Sequence, residues 1–154
     1  GEARRIIVGL SDVPDALGDS RLQMLPELAA LGCREAAVLM VDLGWPIDVP
    51  GGDWGASALN QAVFRGDAVL ARHLLERGAS WTEKHGYGDN VCGTLSWASI
   101  NQPEPDGDWL ACADALVAHG MPLAERSPTK PEEILVAGQS RQFSEEVTAF
   151  LLAK

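Results

Sequence analysis

Few residues in this 154-residue chain have the type and spacing for covalent chemistry. Cys92 and His85 lie seven apart in one long inter-helical segment, close enough in sequence to form a thiol–imidazole pair. A nucleophilic thiol needs its pKa lowered by an orienting base or a helix N-terminus, and no third group is supplied here. Cys112 and His119 stand at i and i+7 of one helical pattern. Two donors are too few for a closed zinc site, and Cys112 falls on an apolar stripe. Glu104, Asp106 and Asp108 gather carboxylates in one loop. The calcium-loop pattern with its bidentate closing Glu is missing, so a solvated acidic loop is expected. Gly51-Gly52 and Gly86-Tyr87-Gly88 do not follow the strand and phosphate-loop pattern, and both fall where hairpin turns belong. The expectation is a protein that is not an enzyme and has no metal and no cofactor.

Charge narrows the partners. There are 22 acidic against 12 basic residues, a net charge of −10. Binding to nucleic acid or to an anionic membrane surface depends on Lys and Arg neutralising phosphate, so both are excluded as expectations. A basic protein or peptide would be attracted, and the same charge also serves solubility. No apolar run is long enough to span a membrane. Cys33, Cys92 and Cys112 are odd in number and not in paired spacing, which fits reduced thiols and a cytoplasmic setting. The first ten residues lack the small-residue cleavage site of a signal peptide. Gly1 in place of an initiator Met points to a processed or excised piece. Three Lys against nine Arg, with abundant Ala and Gly, fit a bacterial genome of high GC content.

What must position any site is a repeat. Gly32 and Gly44 are twelve apart, as are Gly66 and Gly78, and the two pairs are displaced by 34 residues. Leu25 and Leu59, Met40 and Leu74, and Val41 and Leu75 share that displacement. A third copy ends at Gly120; Leu95 and Ala98 repeat Leu59 and Ala62 at a displacement of 36. Ala37, Ala71 and Ala113 each stand seven before the closing Gly. Within one unit, Leu59, Ala62 and Val63 make one helical stripe, and Val69, Leu70, Leu74 and Leu75 make another. Such a pair cannot bury both stripes alone, so the units must stack into a short solenoid.

These residues resemble the ankyrin repeat. Ser57-Ala58-Leu59-Asn60-Gln61-Ala62 stands where that family has Thr-Pro-Leu-His-x-Ala, Gly66-Asp67 where it has Gly-His, and Leu74-Leu75-Glu76-Arg77-Gly78-Ala79 where it has Leu-Leu-x-x-Gly-Ala. The likeness covers roughly residues 18 to 125. The family His is replaced by Asn60, by Ser96 and, in the first copy, by Pro26, which shifts or shortens that helix. The resemblance implies an all-α solenoid. Residues 1–17 would form a truncated leading repeat with a helix over 2–10, and residues 18–51, 52–87 and 88–127 three repeats. A capping repeat over 128–154 would carry helices at 132–138 and 144–152. Helix pairs are expected at 22–31 with 34–43, 58–64 with 68–76, and 94–100 with 109–118. Hairpin fingers are expected at 45–54 and 80–93, and an insertion at 102–107.

By the same resemblance, fingers and inner helices form a concave face that binds a protein or peptide. Register places Asp53, Trp54, Ala56, Phe64 and Arg65 at its contact positions in the second copy. Asp89, Asn90, Cys92, Ile100 and Asn101 occupy those of the third. Trp54, Phe64 and Arg65 would be the anchors, with Asp53, Asp89 and Asn101 as polar partners and the insertion as one wall. Trp97, beside the groove, is expected either to contact the partner or to pack under that insertion, Trp109 to anchor it, Trp81 to be core, and Trp45 to cover a finger base. Glu132, Glu133, Arg141 and Gln142 would turn a polar face to water. Two further readings accompany this one: a regulatory or spacer domain of a larger, possibly enzymatic protein, and a monomer that self-associates weakly through its Trp-lined fingers.

Overall fold

Helix starts are written into side chains. Ser57, Asp67, Asn90, Asp108 and Ser144 each precede a helix and accept the backbone N–H three residues on. Each such cap satisfies one orphan donor and contributes about 1 kcal/mol. In the computed structural model, which describes residues 20–153, α1 is Met24–Ala30, α2 Arg34–Asp42, α3 Ala58–Arg65 and α4 Ala68–Glu76. They are followed by α5 Val91–Asn101, α6 Trp109–Ala118 and α7 Glu145–Leu152. The uncapped α1 is preceded by a 3-10 turn, Ser20–Gln23, and holds Pro26 in its first turn, which leaves it the shortest α-helix described. The expected helix over residues 2–10 lies outside the described residues.

The helices pack as pairs laid side by side. α1, α3 and α5 form one row and α2, α4 and α6 a second. The first two pairs are joined at tight turns and the third through the insertion. Leu25, Leu59 and Leu95 are fully buried in the first row; Met40, Leu74 and Leu116 are buried at matching places in the second. Ala37, Ala71 and Ala113 are likewise buried, and their small side chains let adjacent outer helices approach. Across the outer surface Arg34 meets Asp67 at 2.8 Å, Arg77 meets Asp42 at 2.9 Å and Arg72 meets Asp114 at 3.5 Å. These exposed pairs set register more than stability, each worth about 0–1 kcal/mol.

The chain is mostly helical, but it is not all-α. A three-stranded antiparallel sheet follows α6: β1 Glu125–Arg126, β2 Ile134–Val136 and β3 Gln139–Arg141, in the order β1-β2-β3. The helix expected over 132–138 is therefore a strand and a turn. Ile134 and Val136 are buried on one face while Leu135 between them is not, the period-2 pattern of a half-buried strand. Ala137 and Gly138 both have positive φ, the requirement of a two-residue hairpin loop. The helix that follows, α7, closes the array against α6.

A further boundary moved. α5 begins at Val91 rather than Thr94, because the Asn90 side chain caps Gly93 N–H, so Val91 and Cys92 belong to the helix. Each finger keeps one antiparallel bridge, Gly51 to Ala56 and Lys84 to Asn90. Trp45 is buried and Trp81 packs half-buried at the edge of the core.

The insertion folds back across the helix ends. Asp108 N–H donates to Gly66 O at 2.9 Å, and Trp109 Nε1 donates to Val63 O at 2.9 Å, with its ring against Gly107. Arg65 Nη1 reaches Glu104 Oε1 at 2.9 Å and Ala30 O at 3.2 Å, joining the insertion to two helices. Trp109 thus anchors the insertion.

Candidate functional site

The groove is made where the two fingers meet the inner row. Gly86 N–H donates to Trp54 O at 2.9 Å, which holds the second finger against the first. Trp54 Nε1 donates to Gln61 Oε1 at 2.9 Å, and Gln61 Nε2 donates to Gly51 O at 3.1 Å. Gln61 is buried, so the indole is positioned by a polar group that has no other place to go. Asn60 extends the same support: Nδ2 donates to Glu83 O at 3.1 Å and Oδ1 accepts from Thr94 Oγ1 at 2.6 Å.

On this frame stands an unbroken ladder of rings. Tyr87 meets His85 edge-on at 5.9 Å between centroids, and His85 meets Trp54 at 5.1 Å. Trp54 meets Phe64 at 5.4 Å, and Phe64 stacks on Trp97 at 5.4 Å with planes only 10° apart. Centroids at these separations, tilted or offset, are the favoured aromatic geometries. Tyr87 is 82% and Trp97 52% exposed, large apolar surface at both ends of the ladder. The groove along the rings encloses about 730 Å³, and Asp53, Asp89, Gly93, Thr94, Ser96 and Arg141 complete its lining.

Its charges differ in kind. Asp53 is exposed and forms no hydrogen bond or ion pair with the described residues. Asp89 takes a bidentate pair from Arg141, at 2.8 and 2.7 Å. That hydrogen-bonded guanidinium holds the Asp89 carboxyl below its ordinary range, so the pair persists through mildly acid pH. Burial lowers the pKa of His85, with Asp89 opposing and Arg141 reinforcing the shift, so the imidazole is neutral at pH 7. Its Nδ1 accepts from Tyr87 N–H at 3.1 Å, a bond that fixes the tip of the finger.

Of the residues expected to bind, Asp53, Trp54, Phe64, Asp89 and Trp97 come together in the groove. Trp97 stacks on Phe64 and keeps about half of its surface open, and no residue of the insertion lines the groove beside it. The insertion is accordingly not a wall of the groove. Ala56 is fully buried, paired with Gly51 in the first finger. Arg65 faces Ala30 and Glu104, away from the rings, and Asn90 caps α5. Ile100 is exposed but lies outside the groove lining, as does Asn101, whose Nδ2 donates to Trp97 O at 2.8 Å. Arg141 was expected on a polar outer face. Its side chain is instead 9% exposed and reaches 52 residues back to Asp89. The C-terminal arm carrying it is held on α5 by Ser96 Oγ donating to Gln142 O and by Ser144 N–H donating to Ser99 Oγ at 3.0 Å. His85, Tyr87, Thr94 and Arg141 were not expected in the site. The sequence signal for Tyr87 was an aromatic placed between two turn glycines.

The two buried thiols are not activated. Burial pushes Cys92 up to about 11 and raises Cys112 as well, while Cys33 is exposed. Iodoacetamide at pH 8 should therefore add a single label to the native protein, at Cys33, and three after unfolding. Peptide mapping showing native labelling of Cys92 would contradict this.

Among the described residues there is no group of three or more His, Cys, Asp or Glu side chains placed to hold a metal ion, and no helix long and apolar enough to cross a membrane. Glu104 is taken by Arg65, and Asp108 caps α6. The chain matches no protein-family model and no curated protein sequence.

Proposed function

We propose that this protein is a non-catalytic recognition module, an ankyrin-like array of helix pairs whose finger groove binds an extended segment of another protein or a peptide. The observation that carries this reading is the ring ladder from Tyr87 to Trp97. Large exposed aromatic surface is costly to maintain without use, and Trp and Tyr are enriched among binding hot spots. The frame is already tied by Gln61, Asn60 and the Asp89–Arg141 pair, so little ordering remains for binding to impose. A net charge of −10 favours a basic partner.

Trp97→Ala is the cleanest test, since the indole nitrogen of Trp97 has no protein acceptor among the described residues. Peptides selected from a displayed library on the wild-type protein should bind the variant roughly 30-fold more weakly, a loss of about 2 kcal/mol. The melting temperature should move by less than about 2 °C, as for a surface substitution. Trp54→Ala should weaken binding too, but with a larger loss of stability, because Gln61 Oε1 is left without its donor. Selected peptides that bind Trp97→Ala as tightly as wild type would refute the groove as the binding site.

A further inference from the structure

We propose that the groove reads arginine: it takes a guanidinium of a basic peptide on the open aromatic surface at Trp97, with Asp53 as the counter-charge. This rests on the recognition reading above and names what is recognised. Two observations select the guanidinium. The ladder leaves ring surface open, Trp97 being 52% exposed beyond its stack with Phe64. A flat, weakly hydrated cation stacks on such a surface, whereas a compact ammonium is held best where rings enclose it. Here the rings cover one another, Phe64 by Trp97 and Trp54 by both Phe64 and His85, so they form a platform and not a cage.

The groove's charge selects the sign. Among the described residues of its lining the one guanidinium, on Arg141, is occupied by both oxygens of Asp89, so the lining offers an anion little. Asp53, in contrast, lines the groove with a carboxylate that no described residue engages. A cation arriving there gains a charge-assisted hydrogen bond to an acceptor that is already exposed, with no internal pair to break. A neutral sugar could also stack on the rings, and it would have no use for the charge of Asp53.

Titration of Trp fluorescence with three heptapeptides of one pattern tests this, each with Ala alternating with Arg, Lys or citrulline. Citrulline keeps the planar urea shape of arginine without its charge. In low salt the arginine peptide should bind at least ten-fold more tightly than the citrulline peptide and about three-fold more tightly than the lysine peptide. Asp53→Asn should cost the arginine peptide about five-fold, leave the citrulline peptide unchanged, and flatten the salt dependence of arginine binding. Trp97→Ala should weaken both planar peptides. Equal affinity for arginine and citrulline, or an arginine affinity that Asp53→Asn leaves intact, would overturn the proposal. Tighter binding of a neutral oligosaccharide than of the arginine peptide would overturn it as well. Library-selected peptides that need Trp97 but contain no arginine would refute arginine reading while leaving peptide recognition standing; a library yielding no binder would refute both.

Discussion

Gly66→Ala is expected to lower the stability of the protein by about 3–4 kcal/mol, the largest effect of any small substitution outside the core. Gly66 ends α3 at φ 71°, a left-handed conformation that costs an L-residue about 1–2 kcal/mol. Space makes the cost larger. A Cβ there would fall 2.5 Å from Gly107 Cα and 2.7 Å from Asp108 N, and these are backbone atoms that cannot rotate aside. Relief requires the insertion to lift, which breaks the Asp108 N–H to Gly66 O bond and unseats Trp109 from Val63 O. Each lost hydrogen bond adds about 1 kcal/mol. Gly78→Ala is the control: φ is 104°, but nothing lies within 4 Å of the added carbon, so only the conformational cost applies. Urea unfolding of both variants separates the terms. Equal losses would mean that the insertion does not rest on Gly66.

The same junction shows what could be read from the chain and what could not. Registered glycines and apolar stripes were enough to place α4 and α6 to the residue, because both are local signals. The ankyrin resemblance, carried over by register, set Trp54 and Phe64 at contact positions, and both line the groove. The path of the insertion was not local. Two prolines marked it as a loop, but it is the Arg65–Glu104, Asp108–Gly66 and Trp109–Val63 contacts that draw it over the helix ends. Register fixed which side of α5 Trp97 occupies; it could not say that a ring of α3 would be the neighbour. Arg65 sits one residue from Phe64 and points elsewhere for the same reason, since adjacent helical residues face different ways.

The C-terminal arm was the least legible. Ile134, Leu135 and Val136 form too short an apolar run to distinguish strand from helix by period alone. The Ala137-Gly138 turn then sets β3 so that Arg141 faces Asp89, a pairing 52 residues apart that no spacing rule anticipates. The arm does more than cap the array: through Arg141 it completes the lining of the groove.

Asn60→Leu is expected to cost about 3 kcal/mol and, although Asn60 does not line the groove, to weaken binding there. The residue is fully buried. Its amide serves three partners: Ser57 Oγ at 3.3 Å, Glu83 O at 3.1 Å and, as acceptor, Thr94 Oγ1 at 2.6 Å. Leucine fills similar volume but leaves the Glu83 carbonyl and the Thr94 hydroxyl without it, and an orphaned buried group costs about 1–3 kcal/mol. Thr94→Val alone should cost less, about 1–2 kcal/mol, by stranding Asn60 Oδ1. With Asn60→Leu in place, Thr94→Val removes a hydroxyl that has already lost its best partner, so the double variant should fall short of the sum by about 1 kcal/mol or more. Denaturant midpoints give the cycle, and strict additivity would show that the Asn60–Thr94 bond carries no energy. The binding effect follows from where Glu83 sits. It lies in the second finger two residues before His85, so releasing its carbonyl loosens the segment that carries His85 and Tyr87. Binding must then order that finger as well as fill the groove, and affinity should fall with no contact to the ligand removed.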